Sequence, residues 1–406
     1  MTTRSLTLVL TAFAGQAVAG VADDRSIAVA LRADAAARET LNAGAAGLAV
    51  SAATRFNYAI NLRDSDTLGD DDTTIGFGFQ DVEVRLAGQV TDSITANISF
   101  DFGPSDGVDG NSSVNLEDAF ADWAVSDALT LRIGQFTPSY SAGASMSEYF
   151  MGTTFRSVSE ETLGDIAWTQ GVEAQFGGDQ WSAAVGLSDG PGGWNSTFDS
   201  SAESDFALNA RFDYFSDTDK ARFADRASWR GSTGAWRVGA GVLYAASGDT
   251  NPSTTSATDA LWYTIDAAYE GDGWSVNAAF FGVSLDPDTG ASTDDFGFEI
   301  AGGIFFNDQW EGFARWDTLI LDDARTGPGV EDTYSFLAGG VHYYLVPESY
   351  AARMTLEIGY ALEATTGADG ALDGLTTPTG LSPLSGILGD AESGEIMLSA
   401  MFQVMF

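Results

Sequence analysis

From Val50 to the last residue the chain alternates apolar and polar positions with period two. The alternation comes in blocks of about ten residues separated by acidic, turn-rich stretches, the pattern of half-buried strands. In the first block Val50, Ala52, Thr54, Phe56, Tyr58, Ile60 and Leu62 share one face, and Ser51, Arg55, Asn57, Asn61 and Arg63 the other. In the next two, Val82, Val84 and Leu86 oppose Asp81, Glu83 and Arg85, and Ile94, Ala96, Ile98 and Phe100 oppose Thr95, Asn97, Ser99 and Asp101. The same reading continues through Leu129–Ile133, Val172–Phe176, Trp181–Leu187, Phe206–Tyr214, Trp236–Tyr244, Leu261–Tyr269, Trp274–Phe280, Phe296–Ile304, Trp310–Ile320, Leu337–Leu345 and Met354–Leu362. With a weaker strand near Ala119–Val125 and one at the C-terminus, the pattern predicts about sixteen strands.

Every apolar face in this series is free of charge. A soluble sandwich rarely needs that on every strand, whereas lipid does, because a charge on the lipid face of a strand costs about 2–4 kcal/mol at the midplane. The fold class predicted is therefore all-β, a transmembrane antiparallel β-barrel with its outer face in lipid. Aromatics at strand ends (Tyr58, Phe102, Trp181, Tyr214, Trp236, Tyr244, Trp274, Trp310, Tyr343 and Tyr360) fit interfacial girdles. The final residues alternate up to the end: Ile396, Leu398, Ala400, Phe402, Val404 and Phe406. A last strand ending in Phe resembles the recognition signal of bacterial outer-membrane barrels, and implies that location.

The N-terminus reads as an address. Arg4, the apolar run Leu6–Ala14 and the small-x-small triplet Ala17-Val18-Ala19 predict a signal peptide over residues 1–22. Residues 23–48 are expected to form a short periplasmic segment, helical and ending near Gly44, and residues 49–406 the barrel.

Composition narrows the chemistry. Fifty-eight Asp and Glu against eighteen Lys and Arg give a formal charge of −40, which argues against nucleic acid as a partner. The absence of Cys excludes thiol catalysis and thiolate metal sites, and a single His excludes His-rich ones. Asp286-Pro-Asp288-Thr-Gly290 begins like a calcium loop but lacks the later ligands in register, so a hairpin loop is expected. No metal, cofactor or catalytic residue is predicted. His342 has no Ser–Asp constellation in the sequence and reads as a pore-wall residue, against an outer-membrane enzyme.

Several stretches resemble the phosphate-selective porin O and P family. These are Phe79–Phe102, the segment LTLRIGQFTPSY from Leu129 to Tyr140 with its Gly134-Gln135-Phe136 and Pro138, Met146–Ser157, and Val341–Tyr360. The resemblance implies a sixteen-stranded trimeric pore, and a third loop, here about Thr137–Asp165, folded inward as a constriction carrying Glu148, Arg156, Glu160 and Glu161. Phosphate-specific members add a lysine cluster to an arginine ladder. Lys220 is the sole lysine of this chain and falls in a turn, so phosphate selectivity is not carried over.

Parity assigns eight arginines to the lumen: Arg55, Arg63, Arg85, Arg132, Arg211, Arg237, Arg315 and Arg353. It assigns about fourteen acids there, among them Glu83, Glu299, Glu311, Asp317 and Glu357. The function expected is an outer-membrane porin passing small hydrophilic solutes and ions, with weak cation preference or none. A structural or adhesive barrel is the alternative.

Overall fold

The structure is a computed structural model; it describes residues 41–42, 48–64, 73–102, 114–191, 193–197, 203–246, 258–326, 330–365 and 394–406. The stretch 1–22 expected to be a signal peptide and almost all of the expected N-terminal segment 23–48 lie outside the described residues. Where that segment is described it is extended, not helical. β1 (Leu41–Asn42) pairs with Ala49 and Val50.

The barrel runs from β2 (Leu48–Leu62) to β17 (Ile396–Met405). Between them lie β3 (Thr73–Thr91), β4 (Ile94–Asp101), β5 (Asn115–Ser126), β6 (Leu129–Phe136), β7 (Thr169–Gly177), β8 (Trp181–Ser188) and β9 (Phe206–Phe215). The second half comprises β10 (Ala235–Ala246), β11 (Thr258–Glu270), β12 (Trp274–Pro287), β13 (Thr293–Phe305), β14 (Trp310–Ile320), β15 (Thr333–Tyr344) and β16 (Ala352–Ala361). Each strand pairs antiparallel with the next, and β17 returns to β2 to close a sixteen-stranded barrel. Phe406 seals the seam by exchanging backbone hydrogen bonds with Ala52 at 2.7 and 2.9 Å. Closure leaves no unpaired edge, the condition for a sheet to stand in lipid.

The alternation in the sequence is the inside–outside alternation of the wall. In β16, outward Leu356 is 57% exposed while its neighbour Glu357 is 4% exposed. At the turn-side rim the outward aromatics pair across strands: Tyr214–Trp236 at 5.7 Å, Tyr269–Trp274 at 4.8 Å and Trp310–Tyr343 at 4.8 Å. No helix among the described residues is long and apolar enough to cross a membrane; the strands do the crossing.

Of four register shifts between β2 and β6, two lie within the wall and reset its parity. Arg55 pairs with Asp81 but Phe56 with Phe79, so Gln80 is an extra residue and Ile75, Phe77 and Phe79 face outward on odd numbers before Val82 and Val84 do so on even ones. Opposite β4, Ile98 pairs with Ala119 and Phe100 with Leu116, which sets Glu117 and Asp118 together across from Ser99.

The barrel interior holds its own apolar core. Towards the loop side, inward Trp262, Phe281, Leu319 and Tyr334 enclose Tyr140, Leu163 and Ile166 of the β6–β7 connection. Near the turn side, Tyr149 and Phe150 of the same connection pack with Phe305, Tyr344, Tyr350 and Trp229. Trp229 comes from the β9–β10 connection, residues 216–234, which is long although it lies on the side where the other connections are short turns.

Candidate functional site: the inner wall and the β6–β7 connection

Residues 137–168 leave β6 and return at β7, making contact on the way with the inner face of most of the barrel. Gly241 on β10 permits the closest approach: a Cβ there would stand 2.1 Å from the Tyr140 carbonyl oxygen. Arg211 on β9 donates to that carbonyl at 2.8 Å. Across the barrel, Arg353 on β16 donates to the Met151 carbonyl at 2.9 Å, Gln403 on β17 to that of Tyr149 at 3.0 Å, and Arg55 on β2 to that of Thr154 at 3.0 Å. Arg315 on β14 donates to the Phe155 carbonyl at 2.7 Å and to Thr153 Oγ1 at 2.9 Å. Wall carboxylates take up the backbone N–H groups. Glu357 accepts from Thr154 at 2.6 Å and Asp317 from Ser159 at 3.3 Å. His342, bonded through Nδ1 to Thr355 and through Nε2 to the Gly152 carbonyl, is a brace of the same kind.

The connection is also stapled to itself. Arg156 donates to the carbonyls of Gly143 at 2.7 Å and Met146 at 3.0 Å, and its guanidinium lies 3.3 Å from Glu148, 3.4 Å from Asp165 and 3.6 Å from Glu160. Gly143 leaves room here for the Glu160 carboxylate, which a Cβ would displace. Burial pushes the Glu160 carboxyl up to about 7, with Glu299 adding to it and Arg156 opposing it. Glu161 is raised to about 8, again by burial first and then by Asp165.

Of the residues expected on the inner wall, Arg55, Arg132, Arg211, Arg237, Arg315 and Arg353 are inward and nearly fully buried, as are Glu83, Glu299, Glu311, Asp317 and Glu357. Arg85 is half-buried. Arg63 differs: it stands one residue past β2, bonded to Thr74 Oγ1 at the loop-side rim. Glu311 accepts from Tyr344 at 2.6 Å, and Glu299 from Asn277 at 3.0 Å.

The charges divide into two regions. On β9–β11, Arg211 bridges Asp213 at 2.6 Å and Asp266 at 2.8 Å, and Arg237 adds a 2.9 Å bond to Asp266. Nearby, Arg132 grips Asp122 through two bonds of 2.9 and 3.0 Å. These sets are balanced. The second region joins β2, β3 and β5 to the connection. Arg55 holds Asp81 at 2.8 Å and also Glu148. Arg85 holds Glu83, and Asp118 at 3.5 Å. Glu117 and Asp118 were not singled out from the sequence, because the bulge that turns both toward Ser99 breaks the period. Tyr149 lies under Arg55, its ring centroid 5.5 Å from the guanidinium, and its buried hydroxyl has no hydrogen-bond partner among the described residues. Burial raises the pKa of that hydroxyl, and Asp81, Glu83 and Glu117 raise it further.

A cavity of about 820 Å³ opens between Ser139, Ala142 and Ser145 of the connection and the wall at Arg132, Arg211 and Arg237. Lys220 also borders it, its ammonium donating to the Gly178 carbonyl at 2.9 Å.

Comparison with known proteins agrees with this architecture. The outer-membrane channel DcaP of Acinetobacter baumannii superposes with a TM-score of 0.60 at 12% identity, over 91% of this chain and 100% of that one. The anion-selective porin from Comamonas acidovorans gives 0.58 at 12% identity, over 89% and 100%. A trimer form of OmpT of Vibrio cholerae gives 0.55 at 14% identity, over 89% and 100%. No curated protein sequence matches the chain. The family model for phosphate-selective porin O and P matches residues 52–283, more than half of the sequence. A closed barrel with an apolar outer face and a charged inner one is a channel for small solutes and ions, and the chain belongs to the phosphate-selective porin O and P family.

Proposed function

We propose that this chain is a passive outer-membrane porin in which residues 137–168 form the constriction and the inward charges of β2–β17 line the route. One observation carries this reading. The connection is bonded to the inner wall at β2, β9, β14, β16 and β17, which supports a constriction held at a fixed place. A free loop would leave the lumen open, whereas this one is held by charge-assisted bonds, each worth about 1.5–3 kcal/mol. Arg55, Arg315, Arg353 and Glu357 then serve as anchors of the constriction more than as contacts for solute. Glu148 and Asp81 keep side-chain surface exposed for it.

The working unit in this reading is a homotrimer in outer-membrane lipid, supported by the trimer form among the similar structures. Residues 1–22 export the chain and residues 23–48 stay in the periplasm. Reconstitution tests the proposal. Purified barrels in planar bilayers should give stable conductance steps in groups of three, and liposomes should swell in small sugars. Barrels that insert without conducting would favour the structural or adhesive alternative.

A further inference from the structure

The acidic excess of this chain is concentrated at one place inside the barrel. Arg55, Arg85 and Arg156, with Arg226 close to Glu160, meet Asp81, Glu83, Glu117, Asp118, Glu148, Glu160 and Asp165, four cations among seven carboxyl groups. Arg55, Arg85 and Arg156 are each shared by two or more carboxylates, which leaves them little charge for an arriving anion. The exposure of the two kinds of group differs as well. The side chains of Glu148, Asp81 and Asp165 are 37, 22 and 20% exposed, while those of Arg55 and Arg156 are 0 and 7% exposed. Arg85, at 17%, is pinned between Glu83 and Asp118. Water inside the barrel therefore meets carboxylates in front and guanidinium groups behind them.

A second observation points the same way. The Tyr149 hydroxyl is buried at this cluster, in the field of Asp81, Glu83 and Glu117, and lacks a partner among the described residues. An oxygen in that position can complete the coordination of a partly dehydrated cation but offers an anion only a single proton. Acidic groups on both the wall and the connection, set in a low-dielectric barrel, focus the field on cations.

We infer that selectivity is set at this partly exposed acidic cluster between β2–β5 and the β6–β7 connection, and that small cations and amine-bearing solutes pass it in preference to anions of equal size. The inference rests on the porin reading and assigns its selective residues: Asp81, Glu148 and Asp165 as the exposed charges, Asp118 as the field behind them, Tyr149 as the neutral oxygen.

The test is the reversal potential of the full-length protein in planar bilayers under a KCl gradient. The wild type should be cation-selective. The triple variant Asp81→Asn, Glu148→Gln, Asp165→Asn should lose that preference severalfold. Glu148→Gln alone should lower the cation-to-anion ratio about twofold. Asp308→Asn removes the same single charge at the exposed turn-side rim and should leave the ratio unchanged. If the triple variant fails to fold, the two single variants decide the matter. A conducting but anion-selective wild type, or equal ratios in Glu148→Gln and wild type, would overturn the inference and leave the porin standing. A barrel that does not conduct would overturn both.

Discussion

The β9–β11 wall and the β2–β5 wall are built from the same residue types to opposite effect. On β9–β11, Arg211 and Arg237 alternate with Asp213 and Asp266, two charges of each sign within 3.8 Å of one another, all buried. On β2–β5 and the facing connection, carboxyl groups outnumber arginines and the most solvent-facing side chains are acidic. The first arrangement is a strut: charges buried together and satisfied by one another, even where Arg211, Asp213 and Arg237 border the cavity. The second is a field, because surplus charge of one sign remains next to water. Net charge is thus a poor guide to what a lumen does, and the pairing pattern is a better one.

The sharpest way to break the comparison is to remove one partner from each region. Arg211→Gln would strand Asp213 and Asp266 and free the Tyr140 carbonyl. Breaking a buried pair costs about 3–5 kcal/mol, so the variant should lose its compact, heat-modifiable form at a markedly lower temperature on denaturing gels. Glu148→Gln removes a side chain more than a third exposed, and its cost in stability should stay within about 1 kcal/mol. The same gel assay should therefore separate the two regions.

Displacing the connection comes next in size. Gly241→Val puts a branched side chain where the Tyr140 carbonyl lies. The connection must shift away from β10, and single-channel conductance should change by more than the added side-chain volume accounts for. An unchanged conductance would mean that residues 137–168 do not limit the current.

The smallest expected effect is in pH. Glu160 and Glu161 are raised to about 7 and 8, so both are largely neutral at pH 6 and ionised at pH 9. The groups acting on them are Arg156 and Asp165 of the connection, Arg226 of the β9–β10 connection, Glu299 on β13 and Arg315 on β14. Ionisation adds negative charge near the acidic cluster, so cation preference should rise modestly from pH 6 to pH 9. Stability runs the other way. The folded carboxyl groups bind protons more tightly than the unfolded ones, and that contribution is lost as pH rises through 7 to 8. Melting temperature should therefore fall over the same range, and a flat profile would argue that these two groups are not buried in the working channel.

The sequence made the wall legible because lipid enforces it. A single charge on the outer face is costly, so sixteen strands can be read from parity alone. Within the wall, parity also found Arg55, Arg211, Arg315 and Asp317. It failed where the period breaks. The extra residue Gln80 hid the outer half of β3, and the bulge facing Ser99 hid Glu117 and Asp118. It was silent on the barrel's inner apolar core, since Trp262 and Phe281 look like misplaced lipid-facing residues until Leu163 is set against them. The anchoring bonds were beyond reach for a different reason. Arg315 and Thr153 lie 162 residues apart in the chain, and no local pattern ties them together. The long β9–β10 connection, whose Trp229 supports Tyr350 and Phe305, could be located as a turn but not recognised as part of the interior.

The central claim is that an acidic cluster in excess of its arginines governs passage, and paired solutes test it most directly. Liposomes bearing the wild-type protein can be diluted into isotonic solutions of lysine or of glutamate, two solutes of similar size and opposite net charge, and their swelling rates compared. The account predicts clearly faster entry of lysine, with the difference shrinking as salt screens the carboxylates. Equal rates, or faster entry of glutamate, would contradict it.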